Sequence, residues 1–216
     1  MKKKITIQQR LILPIILLGV VALLSNALSV FSIRNVNANA SKIVDNYMVG
    51  LEILQNIRYT TTNIHKMALS HIVATDYNTM IIVVEQIKEE EKTLEAYLKE
   101  YEDFVTPDEE EIYAQLLNNY DSFKHALVYL VCASADSKTQ DAYAYANGDV
   151  ASFGSAIADN ADDLYGAVNA RTVNARQRLS FVYIVSLVIA LSSVVACLLL
   201  VLAAIRIIKK YVITPI

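Results

Sequence analysis

The chain has 216 residues, with 22 acidic and 19 basic side chains, two cysteines, five glycines, three prolines and no tryptophan. Every Asp and Glu lies between Asp45 and Asp163, so residues 34–179 carry a net charge of −10 while the two ends contribute +7. An acidic middle without a basic patch excludes nucleic acid as a partner, and its single cysteine excludes a disulfide within that segment.

Residues 1–10 form a basic tail bearing Lys2, Lys3, Lys4 and Arg10. Residues 11–33 follow as an uncharged and predominantly apolar run of 23 positions, enough at about 1.5 Å per helical residue to cross a hydrocarbon core of roughly 30 Å. Pro14 falls near the start of this run, where neighbouring groups accommodate a kink. A cleaved signal peptide is the competing reading, with a small-residue site at Ser25-Asn26-Ala27. Against it, the apolar stretch continues through Leu28, Val30, Phe31 and Ile33 and then runs into helical sequence without a breaker.

Residues 34–179 read as an extracytoplasmic domain of four helices, because apolar residues recur at spacings of 3 and 4 and strand-like alternation is missing. The first stripe is Val36, Ala40, Ile43, Tyr47, Gly50, Leu54, Ile57, Thr61, Ile64 and Ala68, continuing the first apolar helix outward. A soft turn is placed at Thr75-Asp76-Tyr77-Asn78. The second stripe is Met80, Val84, Ile87, Glu91, Leu94, Leu98, Tyr101 and Val105, in which Glu91 is the one dissenting residue. Thr106-Pro107-Asp108-Glu109 has the form of a helix start, with a hydroxyl cap, proline in the first turn and a glutamate three residues on. The third stripe is Ile112, Leu116, Asn119, Phe123, Ala126 and Leu130. Asn147-Gly148-Asp149 offers a glycine to close one helix and an aspartate to cap the next, and the fourth stripe is Val150, Phe153, Ile157, Asn160, Leu164 and Ala167. Four such stripes predict an all-α, membrane-anchored antiparallel four-helix bundle, with helices of about 30 to 40 residues, or roughly 45 to 60 Å.

Residues 180–205 form the second apolar run, 26 positions long, and 206–216 add Arg206, Lys209 and Lys210. Two spans put both termini on one side, and short basic flanks stay cytoplasmic. The expected location is a two-pass protein of the inner or plasma membrane, with lipids as partners, although Arg171, Arg176 and Arg178 weaken the local bias. Phe31, Phe181 and Tyr183 mark one interface and Tyr211 the other.

No catalytic constellation, phosphate loop or Cys-x-x-Cys pair occurs, so neither an enzyme nor a cofactor is expected. His65 and His71 do not share a helical face. Asp121 and His125 are four apart, but two ligands do not close a metal site, and a solvated pair is the simpler reading. The acidic clusters Glu89-Glu90-Glu91 and Asp108 to Glu111 read as a solvated face and a match to a helix dipole. Eleven tyrosines lie in the outer domain, most as packing residues with a polar tip. Cys132 reads as a buried or half-buried thiol rather than an intersubunit bridge. Arg58, beside Ile57 on the first helix, is the candidate ligand-binding residue, since a bundle dimer could present it to a small anion; pairing with a neighbouring carboxylate is the alternative.

The layout resembles the N-terminal sensing part of bacterial methyl-accepting chemotaxis receptors. The resemblance rests on Asn56-Ile57-Arg58, Thr106 to Glu110, Asn147-Gly148-Asp149, Leu164 through Ala175, and the two spans. It implies a homodimer that senses a small molecule or a periplasmic binding protein and signals through the second span. In that family this span enters a HAMP linker through a basic stretch and a proline, a form matched by Arg206 to Pro215, which makes those two residues the expected transmission elements. Arg58 has no second arginine one turn away, so amino-acid recognition is not implied. The chain stops where a HAMP helix would begin, which leads to the expectation of a fragment. The alternative outputs are a membrane histidine kinase or diguanylate cyclase, or a structural membrane adaptor.

Overall fold

The computed structural model describes residues 7–209, which are helical apart from short turns and contain no strand. The helices are α1 (Ile7–Lys42), α2 (Val49–Val73), α3 (Tyr77–Tyr101), α4 (Glu110–Ala135), α5 (Thr139–Tyr145) and α6 (Ala151–Ile208). A π-helical turn, Ile43–Met48, joins α1 to α2, and another, Ala146–Val150, joins α5 to α6. The chain divides into two compact units, Ile43–Val173 and the remainder.

The unit Ile43–Val173 is the four-helix bundle, formed by α2, α3, α4 and the run from α5 into α6. Each of the four stripes contributes buried residues to its core, although Val36 and Ala40 of the first lie in the other unit and the buried face of α6 also takes in Ala161 and Val168. Leu54, Ile57 and Ile64 meet Leu94, Leu98, Leu116, Phe123, Leu130, Ile157 and Leu164 in one apolar cluster, each almost fully removed from water. Burying a side chain of this size stabilises the fold by about 1.5–3 kcal/mol. Asn119 on α4 and Asn160 on α6, the two polar residues of the third and fourth stripes, hydrogen-bond to each other at 2.8 Å. Gly154 packs against the Phe123 ring, where a Cβ would lie 3.4 Å from Cε2, at ordinary contact distance.

The expected turn after the first bundle helix is present. Helix α2 stops at Val73 and α3 begins at Tyr77, where Asp76 accepts from Thr79 N at 2.9 Å and from its hydroxyl at 2.6 Å. These bonds hold the Asp76 carboxyl below its usual range. Three expectations need correction. Helices α3 and α4 have 25 and 26 residues, fewer than the expected 30 to 40. Helix α4 begins at Glu110, because Thr106–Glu109 closes its own turn, with Glu109 N donating to Thr106 O at 2.8 Å.

The third correction concerns the entry to the fourth helix. No break occurs at Asn147-Gly148-Asp149, where the π-helical turn carries the helix through and Gly148 keeps a negative φ. The chain reverses instead at Asp136–Lys138. There Ser137 takes φ 60°, Lys138 N donates to Ala133 O at 2.9 Å, and Ser137 N donates to Ser134 O at 3.0 Å. These are the paired bonds of a left-handed helix stop, a position usually filled by glycine. Serine occupies it here, so composition pointed to the wrong turn.

In the other unit, α1 and the C-terminal part of α6 meet through serines. Ser25 Oγ and Ser193 Oγ lie 2.7 Å apart, and Ser32 and Ser186 hydrogen-bond to each other. Small hydroxyl residues of this kind join helices in apolar surroundings. Both helical runs, Ile12–Val73 and Thr139–Ile208, include stretches long and apolar enough to cross a membrane, and large side chains such as Leu23, Phe31, Phe181 and Leu199 are exposed.

Candidate functional site

The most heavily buried charge in the bundle lies near the end of the unit that leads on along α6. Glu109, just before α4, is 3% exposed. Its carboxylate accepts from Thr106 N at 3.1 Å, Thr106 Oγ1 at 2.9 Å and Arg171 Nη2 at 3.1 Å. The Arg171 to Glu109 Oε1 separation is 2.8 Å. Arg171 belongs to α6, and its guanidinium also stands 5.9 Å from the centre of the Tyr47 ring. Tyr101 packs at this end between Phe104 and Tyr113. Burial first, and then the Glu109 charge, push its hydroxyl pKa well above the usual range.

Sequence reasoning missed this pair. It assigned Glu109 to a helix start and Arg171 to the basic residues ahead of the second span. The signal was present in register: four residues beyond Ala167, Arg171 continues the fourth apolar stripe, and an arginine on a buried stripe requires a carboxylate partner.

Arg58 lies on α2 with its guanidinium 2.7 Å from Asp162 of α6, and both side chains are about half exposed, at 46% and 50%. Arg206 is exposed in the last turn of α6. Pro215 lies outside the described residues. The bundle therefore holds Arg58 and Arg171 on different helices with different carboxylates.

The histidines are dispersed. His65 Nε2 is 3.0 Å from Ala146 O, and buried His71 has Nδ1 2.9 Å from Ser134 Oγ. Desolvation lowers the His71 pKa. His125 is exposed and stands 3.7 Å from Asp121. Among the described residues no group of three His, Cys, Asp or Glu side chains is arranged to hold a metal ion. Cys132 is exposed, which corrects the expectation of a buried or half-buried thiol. It sits one turn past Val128, on the outer edge of the α4 stripe rather than on it.

Buried ion pairing beside the start of α4 and in α6 ties the α3–α4 connection to the helix that carries the second apolar run. No curated protein sequence matches the chain at a significant level. A family model described as a four helix bundle sensory module for signal transduction matches residues 4–175, most of the chain. The chain belongs to this family of four-helix-bundle sensory modules.

Proposed function

We propose that this chain is the sensing segment of a membrane chemoreceptor of the methyl-accepting type. It works as a homodimer with both termini in the cytoplasm, and binding of a small molecule or a periplasmic binding protein outside shifts α6. The single observation that carries the reading is that α6, Ala151–Ile208, holds in one helix both the bundle residue Arg171 and the apolar stretch 180–205. Arg58 is proposed to contact the ligand, exchanging Asp162 for an anionic group of the stimulus. Arg206 and Pro215 would pass the displacement into a HAMP-type linker. For any of this to signal, the ligand must bind one helix arrangement more tightly than the other.

The test fuses residues 1–216 to the cytoplasmic output of a characterised chemoreceptor and screens amino acids, amines and organic acids for a change in kinase output. Cysteine pairs replacing Ser25 with Ser193, and Ser32 with Ser186, report helix displacement in the same membranes. Active compounds are expected to change the disulfide formation rate. A folded, membrane-inserted fusion whose output and crosslinking stay constant throughout would overturn the proposal.

A further inference from the structure

The α3–α4 interface changes character along its length. In one half, tyrosines bridge the helices: Tyr113 Oη donates to Leu98 O at 2.8 Å, and Tyr120 Oη donates to Glu95 Oε1 at 3.1 Å and to Glu91 O at 3.3 Å. Lys124 Nζ adds a 3.1 Å ion pair to Glu95. Beyond Glu91, toward Tyr77, no side-chain hydrogen bond or ion pair joins α3 to α4 among the described residues. Two adjoining cavities of about 270 and 140 Å³ open there, sharing Val84, Lys88 and Val131 as walls. Together they fall in the lower part of the roughly 300–1,000 Å³ typical of small-molecule sites.

The walls are aliphatic apart from a few polar groups, of which Glu91 is the informative one. It occupies a core-stripe position on α3 and is only partly exposed. Its carboxylate has no ion pair among the described residues, and burial raises its pKa. The charges that act on it are Lys124 of α4, then Glu95 and Lys88 of α3, with Lys124 already paired to Glu95 and Lys88 exposed; Glu85, also exposed, lies farther along the groove. His71 lies at the far end with Nδ1 engaged by Ser134. A part-buried carboxylate that lacks a direct ion pair is incompletely compensated for its lost hydration, and a ligand cation placed on it recovers part of that cost. Tyr77 is the one aromatic residue on the walls, so there is no aromatic cage for a quaternary ammonium. The geometry favours an ammonium that donates hydrogen bonds.

We propose that the groove between α3 and α4 binds a small primary amine with an apolar body, its ammonium on the Glu91 carboxylate and its body against Val84, Ile87, Leu127 and Val131. Binding is a property of the groove itself, while any effect on output rests on the receptor reading above.

The experiment uses the full chain in nanodiscs of neutral lipid, with empty nanodiscs as reference, and titrates phenethylamine, 2-phenylethanol and 3-phenylpropionate by calorimetry. The amine is expected to bind, with the alcohol and the carboxylate weaker by about tenfold or more, the usual worth of a hydrogen bond to a charged group. Glu91→Gln, which preserves shape, is expected to lose about the same factor, and Lys88→Gln to retain or improve binding. Exposed Cys132 lines the groove, so its alkylation by iodoacetamide, followed by mass spectrometry, provides a second readout. The amine should slow it in the parent chain and not in Glu91→Gln. Equal affinities for amine and alcohol, undiminished binding in a folded Glu91→Gln chain, or no binding below millimolar concentrations would each overturn the site. Binding without any change in the output of the fusion above would keep the site and count against the receptor reading alone.

Discussion

Arg171 Nη2 reaches both oxygens of the buried Glu109 carboxylate, at 2.8 and 3.1 Å, and so ties α6 to the residue preceding α4. Helix α6 cannot slide or rotate far in the bundle without leaving a carboxylate stranded away from water. Removing one member of a buried pair costs about 3–5 kcal/mol. Arg171→Met is therefore expected to lower the unfolding free energy of the full chain in detergent by about 3 kcal/mol, measured by urea denaturation followed by circular dichroism. Arg58→Met breaks a half-exposed pair and should cost less than about 1 kcal/mol. Equal losses for the two variants would contradict the difference in burial.

Gly148 sits in a continuous helical turn with open space around the position of a Cβ. Alanine there should stabilise the bundle by about 0.5–1 kcal/mol, because glycine loses more backbone freedom on folding. Thermal melts of Gly148→Ala check this. A lowered midpoint would mean that a left-handed helix stop, as composition suggested, forms at this site after all. The complementary change, Ser137→Gly, should raise the midpoint, since Ser137 holds the left-handed conformation.

His71 gives the bundle a pH dependence of known sign. Burial lowers its pKa below the ordinary 6.5, so between the two values the unfolded chain binds more protons than the folded one. Its contribution is fully present above about pH 6.5 and is lost as pH falls through the window below. The melting temperature is expected to drop between pH 7.5 and 5.5, and His71→Gln should make that drop smaller. An unchanged pH profile in the variant would remove His71 from the account.

Asn119 and Asn160 form a pair in which each satisfies the other inside the bundle. Asn119→Leu leaves Asn160 without its partner and should cost about 1–2 kcal/mol, whereas the double change to leucine should recover most of that loss. Unfolding measurements on both single variants and the double variant give the coupling directly.

The periodic residues of this chain were legible because their burial needs only a helix and a neighbour. Leu54, Leu98, Phe123 and Leu164 occupy the core wherever four amphipathic helices meet, whereas the turn at Asp76 follows from the sequence only by elimination, its capping bonds to Thr79 being visible in the structure. Local chemistry misled where two turns competed. Asn147-Gly148-Asp149 has the residues of a helix stop, but Ala142, Ala146 and Val150 are buried on one face of the helix, and that packing outweighs the preference of one glycine.

The linear order of residues by itself determined an all-helical chain with two apolar runs flanking an acidic bundle, since charge, length and spacing act locally and leave no other economical arrangement. Only the tertiary structure decided which charges meet. Glu109 and Arg171, 62 positions apart, become partners because α4 and α6 pack side by side. Among the described residues Glu91 has no ion pair, because the nearby Lys124 of α4 is bonded to Glu95 instead. Electrostatic partnership depends on distance through space and on exclusion of water, and neither is encoded in the spacing of residues along one helix.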